Sequence, residues 1–219
     1  MILAIDTSAG TSVALRAGAG TLVQRDSEDP MRHAEAIGPL IADVLATAEI
    51  EPTAVDVVAV GVGPGPFTGL RVGIAAGEAF ALGRGCALVP VPSHDAVAFG
   101  WYAAGNAGRL QVVTDARRRE VAVSDYDGVD ADGVPVRVGG PVLHLRTEVP
   151  EASDVRIEPT QIAAGDVARL AAALCDTGRS LSDGAAIYLR PPDVTLAAPK
   201  QVAQPTRADR DHTADRGRR

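Results

Sequence analysis

Hydrophobic and polar positions alternate along the first part of this chain with the spacing of short strands and amphipathic helices. Apolar runs at residues 2–5, 12–15 and 21–24, separated by turn-prone residues, predict an antiparallel meander of three strands. Residues 33–48 carry apolar side chains at three- and four-residue steps, which predicts an amphipathic helix. The valine-rich run at residues 55–62 predicts a fully buried strand that ends at a glycine-proline loop.

The pattern continues with a helix at residues 68–82, a strand at 87–91 and a helix for which Ser93 is the predicted N-terminal cap. A strand, a polar turn and a second strand then follow over residues 110–126 and repeat the way in which the chain begins. The sequence therefore predicts two lobes.

The predicted first lobe spans residues 1–104, and a smaller second lobe spans residues 105–200. In the second lobe we expect a helix at 162–175 and a closing strand at 186–189. Residues 201–219 combine many charges with almost no large apolar side chain, so we expect a disordered tail.

Composition excludes several classes of function. The chain has 219 residues, and 28 acidic against 21 basic residues give it a formal net charge of −7. A protein that grips nucleic acid unaided needs a basic face, and the few aromatic residues are too scattered to stack bases. We therefore expect contact with RNA only through a larger complex.

The two cysteines, Cys86 and Cys175, lie in apolar stretches without a metal-binding or redox spacing, so we expect both to be small buried residues. The sequence lacks a signal peptide pattern and an apolar run of membrane-spanning length. A cytoplasmic location, without membrane association, is the expectation.

Each predicted lobe opens with a hairpin whose turn begins at an aspartate. This arrangement resembles the duplicated α/β fold of actin, Hsp70 and the sugar kinases, the ASKHA fold, in which such hairpins hold nucleotide phosphates. Asp6, Thr7 and Ser8 would form the first phosphate loop, although these side chains could equally satisfy the backbone of a tight turn. The second loop begins at Asp115 and has three arginines, residues 117–119, where such folds have glycines. An ATP-binding phosphotransferase or ATPase that uses Asp6 and Asp115 is the alternative hypothesis.

Three glycines, Gly69, Gly73 and Gly77, recur on one face of the helix at 68–82, and Ala76 widens this stripe. An interior glycine costs a helix about 0.5–1 kcal/mol relative to alanine, so a close packing contact should offset the loss. The stripe could face the sheet of the same protein or the helices of another subunit.

Long motifs resemble one family from end to end: MILAIDTSAGTSVAL, GVGPGPFTGLRVGIAAGEAFAL, DARRREVAVSDYD and YLRPPDVTLAAPK. By these the chain is identified as a member of the TsaB (YeaZ) family. The resemblance implies a non-catalytic scaffold subunit of the complex that makes threonylcarbamoyladenosine in tRNA. It also implies a catalytic TsaD-like paralogue as partner and a TsaE-like ATPase as a third component.

The resemblance favours an outward-facing glycine stripe, with the helices at 33–48 and 68–82 joining two partner helices. When isolated, the chain should form a homodimer through the same helices. No cofactor is expected for this chain alone, whereas ATP or ADP could bind at a subunit interface. The predicted partner interface comprises His33, Glu35, Ile37, Leu40, Ile41, Val44, Gly69, Arg71, Val72, Gly73, Ala76, Gly77 and Phe80.

TsaD-like proteins hold a metal with two histidines on one helix. Here His33 is followed by Ile37 where the second histidine would stand, so the resemblance implies that this chain has no metal site. A peptidase built on His94 and its neighbours is not expected, because side chains adjacent at the start of a helix do not converge.

Overall fold

The computed structural model describes residues 1–18, 21–27, 32–151 and 154–190. Its nine strands within these ranges are β1 (Ile2–Asp6), β2 (Thr11–Ala17), β3 (Thr21–Ser27), β4 (Val57–Gly61), β5 (Ala87–Val91), β6 (Arg109–Asp115), β7 (Glu120–Val129), β8 (Pro135–Leu145) and β9 (Val155–Ile157). The four α-helices in the same ranges are α1 (His33–Thr47), α2 (Phe67–Arg84), α3 (Ser93–Ala103) and α4 (Ala164–Thr177).

The first sheet has the strand order β3-β2-β1-β4-β5. β1 pairs antiparallel with β2 and parallel with β4, and β2 pairs antiparallel with β3. The predicted three-stranded meander is therefore confirmed. β4 and β5 continue the sheet in parallel, each reached through a helical crossover.

Strand β1 is buried on both faces, because helices cover the first sheet on each side. Leu3 and Ile5 pack in a core with α1 and α2, whereas Ile2 and Ala4 pack in a second core with α4. This alternation follows from the two-residue period of a strand.

The second sheet has the order β8-β7-β6-β9, with the antiparallel β6–β7 hairpin at its centre. α3 packs on one face, where Ala98, Leu110 and Tyr126 share a core. Each sheet thus contains a hairpin with an aspartate at the end of its first strand, Asp6 and Asp115. The expected duplicated α/β fold is confirmed.

The structure corrects three expectations for the second half of the chain. The helix assigned to the second lobe, α4, packs on the first sheet, so the chain returns to that lobe. Strands β8 and β9 were not predicted. The segment expected as a closing strand, 186–189, is irregular, although the Ile187 amide donates to the Val62 carbonyl at 2.8 Å.

The predicted tail at 201–219 lies outside the described residues. Among the described residues, every helix is too short or too polar to reach across a bilayer.

Candidate functional site

The glycine stripe of α2 faces the protein's own first sheet. A Cβ atom on Gly69 would lie 2.7 Å from the Thr7 carbonyl oxygen. One on Gly73 would overlap the Thr7 hydroxyl, and one on Gly77 would overlap a Val60 methyl group. The expectation of an outward-facing stripe is therefore wrong. The glycines let α2 approach the β1 turn and β4 more closely than any side chain would allow.

The other residues of the predicted interface are of three kinds: buried, half-buried and exposed. Ile37 and Val44 are buried in the core beneath α1, so the structure contradicts their assignment as interface residues. Their side chains point inward because the apolar stripe of an amphipathic helix covers its own sheet. Half-buried residues lie at the edges of the same core, namely Leu40, Ile41, Val72, Ala76 and Phe80.

Charged and polar members of the predicted interface lie nearer the surface. Glu35 and Arg71 are exposed. His33 is half-buried, and its Nδ1 atom lies 2.7 Å from the Thr11 hydroxyl in a hydrogen bond. The ring of His33 thereby ties the start of α1 to β2.

The outer faces of α1 and α2 carry small residues and one exposed leucine. Ala34, Gly38 and Ala42 recur at four-residue steps on α1 and are exposed. On α2 the apolar exposed positions opposite the glycines are Ala75, Ala79 and Leu82, beside the exposed Thr68, Arg71 and Glu78, and the Leu82 side chain is 85% exposed. We call the six residues Ala34, Gly38, Ala42, Ala75, Ala79 and Leu82 the outer helical face. α1 and α2 pack side by side on one sheet, so the two rows lie on the same side of the molecule.

Sequence reasoning assigned the glycines of α2 to the wrong side of the helix and did not single out Leu82. The helical period could have indicated this exposed row. Once the glycines are assigned to the core, residues 75, 79 and 82 must lie opposite residues 73 and 77.

At the start of α2, an aromatic cluster joins the helix to the segment before residue 190. The Arg71 guanidinium stacks 3.7 Å above the Phe67 ring and donates to the Tyr188 hydroxyl at 3.1 Å. The rings of Phe67 and Tyr188 lie 4.8 Å apart. This contact and the Ile187 hydrogen bond to Val62, just after β4, fix the segment against the first lobe.

The first predicted phosphate loop is occupied by hydrogen bonds within the protein. Asp6, Thr7 and Ser8 are each at most 2% exposed. The Asp6 carboxylate accepts from the Ser8 hydroxyl at 2.5 Å and from the Ser93 hydroxyl at 2.6 Å, and Thr7 donates to the Gly69 carbonyl at 2.8 Å. Burial raises the pKa of the Asp6 carboxyl above its ordinary value. The Ser8 and Ser93 hydroxyl donors lower this pKa, but burial has the larger effect. The geometry supports the structural interpretation of this loop.

The first turn of α3 connects the two sheets through Ser93, His94 and Asp95. The expected N-terminal cap is wrong: Pro92 stands at the cap position, and the Ser93 hydroxyl donates to Asp6 instead. The His94 ring nitrogens lie 2.8 Å from the hydroxyls of Ser124 and Thr114. These contacts satisfy both ring nitrogens with hydroxyls of the second sheet.

The ionisable side chains of this cluster are buried away from water. Burial and, to a smaller extent, the nearby Arg137 guanidinium together lower the pKa of His94 to about 3. Asp95 accepts from the Tyr126 hydroxyl at 2.7 Å and pairs with Arg137 at 3.6 Å. Burial raises the pKa of Asp95, and Arg137 opposes that shift. This buried polar cluster connects the lobes.

The two cysteines are less buried than expected. Cys175 is exposed near the end of α4, and Cys86 is half-buried. Cys175 lies in the last turn of α4, where residues 175–177 are all exposed.

The family model described as TsaD, tRNA N6-adenosine threonylcarbamoyltransferase, matches residues 29–135. The tRNA threonylcarbamoyladenosine biosynthesis protein TsaB of Escherichia coli is 35% identical over 134 residues, covering 61% of this chain and 57% of that protein. A solved structure titled as an uncharacterized protein with similarity to peptidase YEAZ from Pseudomonas aeruginosa aligns with a TM-score of 0.73 and 25% identity, over 86% of this chain and 99% of that one.

The chain is similar to the TsaB (YeaZ) family in sequence and in fold. An uncharacterized Mycobacterium leprae protein is 35% identical over 210 residues, which cover 88% of this chain and 55% of that protein. The chain thus spans about half to two thirds of the curated relatives that it matches. The TsaD match includes α1, α2 and the glycine-proline loop between β4 and α2. The segment of this chain that carries the outer helical face is therefore similar in sequence to TsaD-type proteins.

Proposed function

We propose that this chain is a non-catalytic subunit of the machinery that forms threonylcarbamoyladenosine in tRNA. In this proposal it binds and positions a TsaD-type catalytic paralogue, and a TsaE-type ATPase is a third component. The TsaB-type relatives, named for tRNA threonylcarbamoyladenosine biosynthesis, supply the process. The observation that carries the docking role is the outer helical face with its 85% exposed Leu82.

The chemistry of this face suits helix-to-helix docking. Alanine and glycine at five of its six positions leave the backbone accessible, so partner helices can approach closely. The exposed leucine gains about 1.5–3 kcal/mol if a partner buries its side chain. Because the TsaD family model matches the same segment, the partner would present related helices, and the docked pairs would form a four-helix contact.

The first phosphate loop supports the non-catalytic part of the proposal. Both oxygens of the Asp6 carboxylate accept hydroxyl donors, and the group is 1% exposed. A metal or a nucleotide phosphate would have to displace Ser8 or Ser93 to reach it. Isothermal titration of the isolated chain with ATP and magnesium separates this proposal from the phosphotransferase alternative: micromolar binding would favour the enzyme.

Mixing the chain with the purified TsaD-type paralogue tests the docking role. We expect the wild-type pair to elute together in gel filtration. Leu82→Glu should weaken the complex at least about tenfold, because a charge replaces a leucine that the partner would bury. Val138→Glu is the matched control, since Val138 is 62% exposed on β8, away from α1 and α2. Equal loss in both variants, or no loss in Leu82→Glu, contradicts the proposed face.

A further inference from the structure

The turn between β6 and β7 concentrates arginines in a strained backbone. Arg117, Arg118 and Arg119 have φ values of 63°, 55° and 66°, in the left-handed region that residues with a Cβ atom rarely adopt. Each such residue costs about 1–2 kcal/mol relative to a right-handed one. All three arginines are exposed.

The surrounding structure holds this turn in place. The Asp115 carboxylate accepts from the Arg117 amide at 3.2 Å, and the Arg119 carbonyl accepts from the Arg146 amide at 2.8 Å. The Arg190 guanidinium donates to the Arg117 carbonyl at 3.2 Å. The turn is thus a fixed platform for its side chains.

Several arginines lie close together around this turn, although the protein as a whole is acidic. Arg146 pairs with Asp115 and Glu158, and Arg190 pairs with Glu120. The turn and the groups joined to it in this way bring five arginines together in a chain of net charge −7. We call this cluster the arginine turn.

The arginine turn lies close to the proposed docking helices. Ile187 is hydrogen bonded to Val62 at the end of the β4 region, and Tyr188 contacts the start of α2. Arg190, three residues after Ile187, reaches the turn. Three residues of chain span at most about 11 Å, so the turn lies near the first lobe at the start of α2.

We propose that the arginine turn binds phosphates of the tRNA backbone when this chain is assembled with its catalytic partner. This inference rests on the proposed function, which supplies tRNA as the polyanion present at the complex. Guanidinium groups match phosphate oxygens in geometry and charge. One turn of this kind makes too few phosphate contacts to hold RNA alone, so the contact adds to an affinity that the partner provides.

Fluorescently labelled tRNA titrated with the reconstituted complex tests this inference. The Arg118→Gln and Arg119→Gln double variant should bind tRNA about tenfold more weakly, and the dependence of log affinity on log salt concentration should become shallower by about one to two. The matched control removes two exposed arginines elsewhere, Arg109→Gln with Arg169→Gln, and should leave tRNA affinity within about twofold. Their surface ion pairs contribute little to stability.

Gel filtration of the same samples separates the outcomes. If the wild-type chain fails to assemble with the partner, the proposed function fails. If the complex forms and the double variant binds tRNA like the wild type, the phosphate contact is overturned. If the double variant loses the partner instead, the arginine turn binds an acidic protein surface, which also overturns the inference.

Discussion

At the scale of single residues, α2 contains glycines with opposite roles. Gly73 approaches Thr7 so closely that any side chain would overlap its hydroxyl, whereas nothing lies within 4 Å of a Cβ atom on Gly83. Gly73→Ala should lower the free energy of unfolding by about 1–3 kcal/mol through overpacking. Gly83→Ala, the control in the same helix, should raise it by about 0.5–1 kcal/mol. Urea unfolding followed by circular dichroism measures both, and a neutral Gly73→Ala would contradict the buried stripe.

At the scale of elements, the sequence predicts which segments form helices but not which way each helix faces. The glycine spacing at 69, 73 and 77 indicates a close approach, and the same spacing fits a sheet or a partner helix. The structure decides for the sheet because Thr7 and Val60 fill the space in front of these residues. The sequence alone does not distinguish an exposed leucine such as Leu82 from a buried one. Its exposure can be inferred only when the buried face of the helix is known.

Strand β8 shows a second limit of prediction at this scale. Its prolines and glycines, such as Pro135 and Gly139, indicate a loop, yet the segment forms an edge strand with register shifts opposite β7. Edge strands tolerate such residues because one side makes no ladder hydrogen bonds. The central hairpin of β6 and β7 was predictable, because its apolar residues are continuous and its turn is polar.

The outer helical face of α1 and α2 also leads to a prediction for the isolated chain. Without a partner, this face should pair with a second copy of the chain and form a homodimer. Ala79→Arg, which places a charge at the centre of the face, should give a monomer in light scattering. Ala103→Arg, at the exposed end of α3, should leave the dimer intact. A monomeric wild-type chain, or a dimer that persists in Ala79→Arg, would contradict this use of the face.

At the scale of the whole molecule, the buried polar cluster at the start of α3 connects the two sheets and makes the fold sensitive to acid. The folded state keeps His94 neutral with a pKa of about 3, whereas the unfolded chain protonates it near its ordinary value of 6.5. As pH falls below 6.5 the unfolded state therefore binds one more proton, and stability decreases. For this one group the loss should be about 2 kcal/mol between pH 7 and pH 5.

His94→Gln should flatten this decrease in urea unfolding, while His144→Gln, on β8, should not. Asp6 and Asp95 act in the opposite direction, because a raised carboxyl pKa favours the folded state as pH falls towards the acidic range. If His94→Gln destabilises the fold too far for unfolding curves, the imidazole resonances of the wild type provide the readout. Titration of His94 near pH 6 in the folded protein would contradict the buried assignment.

Contact between the outer helical face and a TsaD-type paralogue is the central claim, and alkylation of one introduced thiol tests it most directly. In a Leu82→Cys variant, the reaction rate of the new thiol is compared with and without a stoichiometric paralogue, and exposed Cys175 on α4 serves as the internal control. We predict that the paralogue slows alkylation at position 82 at least about tenfold and leaves Cys175 unchanged. An unchanged rate at position 82 in a demonstrated complex would contradict the account.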